Sequence, residues 1–176
     1  FNLEPGDTLY IDTGSYSSSG LSMGRKHAGV SNASVVVVGS TNLVSGGTVL
    51  SGPGLSSSAT ALSLANTRFV ALSNLTIRNA RTGLLVDRSE GVGLTFLSAL
   101  ANSNGVVLRS SSNIVVSRSV LSHNPGIGFS NGGSSSTNRL EHSVILSNGL
   151  SGVDHSSGRL DVRSSVLAAY GLNSLV

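Results

Sequence analysis

The chain has 176 residues, long enough for one domain with a sizeable core, and it is only 11% charged with a net charge of +3. Regular Val, Leu and Ile among its 22 Gly and abundant Ser exclude a disordered Ser/Gly linker. Its Arg residues are scattered rather than clustered into a basic stripe with aromatics, against nucleic-acid binding, and it has no cysteine for disulfides or thiolate metal sites.

No apolar run reaches membrane-spanning length, so no membrane insertion is expected. The chain opens at Phe1 without an initiator Met, a basic n-region or a signal core. It is therefore read as a processed chain or a segment of a longer one.

Residues 1–20 begin with a Pro5-Gly6 turn. A strand with Leu9 and Ile11 on one face follows, and Gly14 then turns the chain. Residues 21–58 are less regular. They predict a strand over 34–38 that is apolar on both faces, a second strand near Thr48 to Leu50, and a turn over 51–58.

From Ala59 to Tyr170 the sequence is one unit written five times, over 59–80, 81–102, 103–124, 125–148 and 149–170. Four units are 22 residues long and one is 24, with the excess assigned to the GGSSST tract at 132–137. A period of this length is the signature of a solenoid. Within a unit, apolar residues recur in pairs spaced by two. Examples are Leu62 and Leu64, Leu84 and Val86, Val106 and Leu108. A second set is Val70 and Leu72, Val92 and Leu94, Ile114 and Val116. A third is Leu75 and Ile77, Leu97 and Ala99, Ser119 and Leu121. That spacing is a strand with one face buried, and the Gly, Ser, Asn and Thr between pairs are turn formers. Three short strands per unit, joined by turns too short for a helix, describe one coil of a right-handed parallel β-helix. Asn102, Asn124 and Asn148 then fall in one column and predict an amide ladder. The expected fold is all-β, with about six to seven coils in a single domain: residues 1–58 as less regular coils, 59–170 as regular repeats, and 171–176 as the start of a further coil.

The string PGDTLYIDTGSY, Pro5 to Tyr16, resembles the opening coil of right-handed β-helix repeat proteins of the pectate-lyase-like superfamily. The family pattern is a PGD, an alternating strand and a Gly-x-Tyr turn. The resemblance implies this fold over nearly the whole chain. It implies a choice of activities, since the superfamily spans polysaccharide lyases, glycoside hydrolases, uronate epimerases, phage tailspikes and non-enzymatic surface proteins. It also implies an extracellular or bacterial cell-surface location. Many members carry an amphipathic capping helix before this motif. Its absence here and the open last coil predict a larger parent chain or end-to-end self-association as partners.

The catalytic strings are few. Gly20-Leu-Ser22-Met-Gly24 matches a nucleophile elbow with His27 nearby, but no helical period follows Gly24 to aim the Ser22 hydroxyl. Glycoside chemistry needs two convergent carboxylates, and lyases or epimerases need a positioned base. In the repeats, Asp87 shares a column with Arg109, Arg68 with Glu90, Arg139 with Asp161, and Glu141 with Arg163. These acids are read as structural cross-coil pairs. His142 shares a column with Arg118, which disfavours it as a charged group. Asp154 and His155 stand apart, with no Arg in the column of Asp154, and are the candidate catalytic residues. Alternation places them on opposite faces, so they are not expected to act as a dyad. The histidines lack zinc-ligand spacing, the acids Glu4, Asp7 and Asp12 do not make a calcium motif, and no cofactor or metal is expected. Asn32 and Asn74 head glycosylation sequons read as chance matches. The sequence thus predicts a non-enzymatic stalk or adhesin-like segment, possessing a face for polysaccharide, with a polysaccharide lyase, hydrolase or epimerase domain as the alternative.

Overall fold

The computed structural model of the chain describes residues 2–168 and 173–175. Its strands stack on three faces of a parallel solenoid. The first face holds Thr8–Ile11, Val35–Gly39, the first half of Val70–Arg78, the first half of Gly93–Leu100, Val115–Ser117, Asn138–Glu141 and Leu160–Arg163. The second holds Gly14–Ser17, Thr48–Ser51, the later halves of those two long strands, Val120–Ser122, Val144–Leu146 and Val166–Ala168. The third is a 7-stranded sheet of Leu21–Met23, Thr60–Ala65, Thr82–Asp87, Asn104–Arg109, Ile127–Gly132, Ser151–His155 and Asn173–Leu175.

Pairing is parallel throughout these faces. Leu72 lies against Leu94, and Leu64 against Val86, one coil and 22 residues on. About 5 turns follow one another at about 23 residues. This is fewer evenly spaced turns than the six to seven coils expected, because the opening coils are longer. Thr8 pairs with Val36, Val35 with Val70, and Leu21 only with Leu62. The 40–47 loop and the 51–58 turn take up the difference. Tyr170, aligned with Asn148 in the sequence, lies outside the described residues, and Asn173–Leu175 pairs with the strand at Ser151.

The two extra residues of the fourth repeat are split between two corners. Asn124 stacks on Asn102 at a spacing of 22, but Phe129 pairs with Val106 at 23, which places one insertion between Asn124 and Phe129. Ser135 then stacks on Ser111 at 24, so the second lies between Gly132 and Ser135. Only this second insertion falls in the GGSSST tract.

The lumen is filled by the paired apolar positions of the three faces. All of the apolar pairs named from the sequence are buried. At 34–38 the inner residues Val35 and Val37 are buried, whereas Val36 and Val38 are half-buried. That strand packs fully on one face only.

The corners explain the rest of the pattern. Strands bend through single residues in the left-handed region. The column between the first and second faces is Asn74, Phe96, Arg118, His142 and Ser164, with φ of 56°, 52°, 48°, 49° and 46°. A second column is Asn79, Ala101, His123 and Ser147. Each such non-glycine residue costs about 1–2 kcal/mol. The residue that follows turns inward, and where it is Asn or Ser its side chain satisfies the corner backbone of the coil before. Asn102 Oδ1 accepts from Ala80 N at 3.1 Å, Asn124 from Asn102 at 3.0 Å, and Asn148 from Asn124 at 3.1 Å. Their amide nitrogens donate to Ile77, Ala99 and Leu121 carbonyls at 2.9, 3.1 and 3.0 Å. This is the amide ladder expected from the repeats, and all three side chains are buried.

Two serine ladders run beside it. Ser89, Ser111 and Ser135 hydroxyls accept from the backbone N–H of Thr67, Ser89 and Ser111 at 3.1 Å each. Ser119, Ser143 and Ser165 accept from Leu97, Ser119 and Ser143 at 3.1, 3.2 and 3.2 Å. Buried backbone groups need partners, and these columns supply them at corners where the strand ladder is interrupted.

Candidate functional site

Register decides what the charged side chains can do. The columns are those expected: Asp87 lies against Arg109, Arg139 against Asp161, Glu141 against Arg163, and Arg68 bridges to Glu90. The ion pairs, however, close mostly within a coil. Arg88 grips Asp87 at 3.0 Å through Nη2 and 3.1 Å through Nε. Arg139 reaches Glu141 at 3.7 Å, and Arg163 reaches Asp161 at 2.5 Å. Among the described residues, only Arg68–Glu90, at 3.6 Å, joins adjacent coils. Residues two apart on a strand point the same way, and a long Arg side chain spans that gap. Arg139, Glu141, Asp161 and Arg163 thus form an alternating square. Within it the Asp161 carboxyl is held below its ordinary 3.8, chiefly by the hydrogen bond from Arg163. Burial opposes this, and the charges of Arg163, Arg139 and Arg159 add to it.

Asp154 and His155 lie at the end of the strand Ser151–His155, not in a turn. Asp154 faces outward, half-buried, and accepts from Ser130 Oγ at 3.1 Å in the coil before. His155 follows the inward column Leu64, Val86, Leu108, Asn131. Its Nδ1 meets Asn131 Nδ2 at 2.9 Å. Asn131 is fully buried, donates to the Ser157 carbonyl at 3.2 Å and accepts from Asn138 Nδ2 at 2.7 Å. The two candidates therefore take different partners on opposite sides of the strand. His155 belongs to an internal polar chain, and Asp154 is a solvent-facing carboxylate held by a serine. Ser22 sits mid-strand on the third face in register with Ser63; a 3-10 helix, Arg25–His27, does follow Gly24, but it is a single turn and Ser22 is not in the turn that leads to it, as an elbow nucleophile would be. Among the described residues, no three His, Asp or Glu side chains are placed to hold a metal.

A different place has the shape of a binding site. At the corner between the first and second faces, a groove of about 370 Å³ is lined by Ser40, Thr41, Asn74, Phe96, Arg118 and Val120, among others. Phe96 is 51% exposed, although it is one of the few aromatic residues in the chain. It stands outward because its left-handed backbone turns the side chain away from the lumen. Arg118, in the same corner position one coil on, lays its guanidinium 5.7 Å from the ring centroid. The loop over 40–47 forms the far wall. It is anchored by Ser40 N donating to Thr48 Oγ1 at 2.7 Å and by Thr13 Oγ1 donating to Ser40 Oγ at 2.6 Å. An aromatic face, a cation and a row of hydroxyls and amides are what a sugar ring uses: stacking on its apolar C–H face and hydrogen bonds to its rim. Sequence reasoning passed over Phe96. The available signal was a bulky ring where the other repeats place Asn74, Arg118, His142 and Ser164.

The parallel register, the three faces and the inward ladders define a right-handed β-solenoid. Residues 23–167 match the family model described as right handed beta helix region, and the chain belongs to that family. A search of the curated proteins finds no match. Among solved structures, the chain is similar to an alginate lyase from Paenibacillus sp., with a TM-score of 0.74 and 17% identity over 92% of this chain and 69% of that one. It is similar to the pectate lyase Pel9A, with a TM-score of 0.76 and 13% identity over 93% of this chain and 45% of that one. It is also similar to a double mutant of the periplasmic alginate epimerase AlgG, with a TM-score of 0.60 and 15% identity over 97% and 49%. The chain thus spans less than half of the pectate lyase and about half of the epimerase. At these identities the likeness is one of fold.

Proposed function

We propose that this chain is a rigid, non-enzymatic β-helix segment of a secreted, periplasmic or surface-displayed protein, and that it binds polysaccharide in the groove at Phe96 and Arg118. The observation that carries this reading is the half-exposed Phe96 ring, backed by Arg118 and flanked by polar loop and corner residues. A single exposed aromatic is ordinary on a surface; what supports a site here is that the ring lines a groove beside a cation. The solved structures of similar fold are named for alginate and pectate, which makes a polysaccharide a natural occupant. The acids of the repeats support a binding role over a catalytic one, because Asp87, Glu90, Glu141 and Asp161 are each engaged by an Arg.

A polysaccharide lyase, hydrolase or epimerase is the second reading. Asp154 favours it, as an outward carboxylate held by Ser130 without a guanidinium partner.

One experiment separates the two. Neutral and acidic polysaccharides are incubated with the chain, and retention, reducing ends and unsaturated-uronate absorbance are read together. Retention without turnover, lost in Phe96→Ala, is the expected result. Turnover that disappears in Asp154→Asn would overturn the non-enzymatic reading. Retention unaffected by Phe96→Ala would remove the groove.

A further inference from the structure

We infer that a second groove, at the corner between the third and first faces, is a site for a tetrahedral oxyanion, a sulfate or phosphate ester. It is an open groove of about 310 Å³ lined by Arg25, Ala28, Asn66, Arg68 and Arg88. That is about ten waters at roughly 30 Å³ each, room for one such group and the residue that bears it. Three of its five lining residues are Arg and one is Asn, and no Asp or Glu is among them.

The three guanidiniums come from three successive coils. Met23 pairs with Leu64 and Leu64 with Val86, so Asn66 and Arg88 leave the third face at equivalent places, and Arg25 opens the one-turn 3-10 helix Arg25–His27 that follows the strand Leu21–Met23 in the coil before. Arg68 stands two residues beyond Asn66, and its carbonyl accepts from Gly29 N at 2.9 Å, holding the Arg25 segment against the corner. Arg88 and Arg68 are fixed from behind by Asp87 and Glu90. Neither pairing uses all the donors, since a guanidinium carries five N–H groups in a planar fork. Arg25 is exposed, and its side chain takes no hydrogen bond or ion pair among the described residues. Two ion-paired Arg residues and a third with no carboxylate partner among the described residues line one groove, which leaves it a net positive charge for an anion to meet.

The shape of the donor set selects the anion. A carboxylate offers two coplanar oxygens, which one guanidinium satisfies bidentately. A sulfate or phosphate ester offers a tripod of terminal oxygens, one for each Arg. No aromatic side chain lines the groove to stack a base, so a nucleic-acid strand is not its ligand.

This site lies on a different corner from Phe96, so its failure and the failure of the polysaccharide groove are read on different variants. The probes are inorganic sulfate and inorganic phosphate, titrated at low ionic strength against the whole chain by calorimetry and by amide chemical shifts at 25, 66, 68 and 88. Saturable binding that weakens at least about tenfold in Arg25→Gln is expected, the loss of one charge-assisted contact. Arg81→Gln removes the same charge on the opposite corner and should cost less than about twofold. Both positions are exposed, and circular dichroism checks that each variant keeps the fold. Dextran sulfate, dextran phosphate and carboxymethyl dextran then compare the groups on one backbone. Preferential retention of the sulfated or the phosphorylated polymer, dependent on Arg25, supports the site and names its source. Absence of saturable binding of both ions, equal losses in Arg25→Gln and Arg81→Gln, or equal Arg25-dependent retention of carboxymethyl dextran would each overturn it.

Discussion

Asn124 is the central rung of the amide ladder, and its removal gives the sharpest test of how the coils are held together. Its Oδ1 accepts from Asn102 N at 3.0 Å, and its Nδ2 donates to the Ala99 carbonyl at 3.1 Å and to Asn148 Oδ1 at 2.9 Å. The side chain is fully buried, so water cannot take over these contacts. Asn124→Ala leaves the Asn102 N–H and the Ala99 C=O without partners in the lumen. Each such orphan costs about 1–3 kcal/mol, and the lost contact to Asn148 adds to that, for about 3–6 kcal/mol in total. This is a large share of the roughly 5–15 kcal/mol that stabilises a domain. The assay is guanidinium unfolding followed by circular dichroism, with amide exchange at Asn102 as the local readout. Exchange matters because solenoids can open coil by coil, so that a single midpoint averages several events. Loss of less than about 1 kcal/mol, with exchange at Asn102 unchanged, would refute the claim that the ladder satisfies the corners. Asn124→Asp keeps the acceptor but turns both donor contacts into repulsions. It should be worse than Asn124→Ala at neutral pH and recover partly in acid, where a protonated carboxyl donates again.

The serine ladder ends in Thr67 and Ser157, whose hydroxyl oxygens are buried without a partner. Thr67→Val keeps the shape and removes that cost, so thermal unfolding should show an unchanged or raised midpoint, and a drop of several degrees would contradict it. The Asp161 carboxyl sits below 3.8 in the fold because Arg163 binds it. A depressed value means that its stabilisation is present above the unfolded value and is lost as pH falls through the folded one. Carbon-detected titration should therefore place its midpoint under 3.8, and Arg163→Gln should raise it, with no movement counting against the pairing. A Cβ at Gly39 would lie 2.1 Å from the Asn74 carbonyl. Gly39→Ala should therefore cost more than about 2 kcal/mol in unfolding experiments, and a neutral effect would mean that the 35–39 strand sits elsewhere.

The lumen was legible because a period of two repeated at 22 residues leaves little choice of fold. Leu64, Val86 and Leu108 had to stack, and they do. The same register fixed Asp87 against Arg109, but it could not say which way the guanidiniums swing. Arg88 is the clear instance, since it takes Asp87 from the adjacent position in sequence, across a left-handed corner. Such corners were illegible in general. Nothing in the composition of Phe96, Ala101 or His123 announces positive φ, because the surrounding ladder imposes it against local preference. Both grooves lie at corners. The contributors of the Arg groove, Arg25, Arg68 and Arg88, stand far apart in sequence and look scattered until the coils are wound.

That location has a physical reason. On the flat faces of a parallel solenoid, side chains stand about 4.8 Å from their equivalents in the next coil, and strand alternation commits every second one to the lumen. A corner residue in the left-handed region is freed from that alternation. Its side chain points away from the core whatever its type, while the next residue restores the buried column. Position 96 can therefore hold a Phe where position 74 holds Asn and 118 holds Arg, with the ladder residues Leu75, Leu97 and Ser119 beneath undisturbed. Binding chemistry can change at such sites without cost to the fold, whereas a change at Asn124 breaks the stack. Phe96→Ala and Asn124→Ala should accordingly separate completely, the first altering retention and not stability, the second altering stability even where no ligand binds.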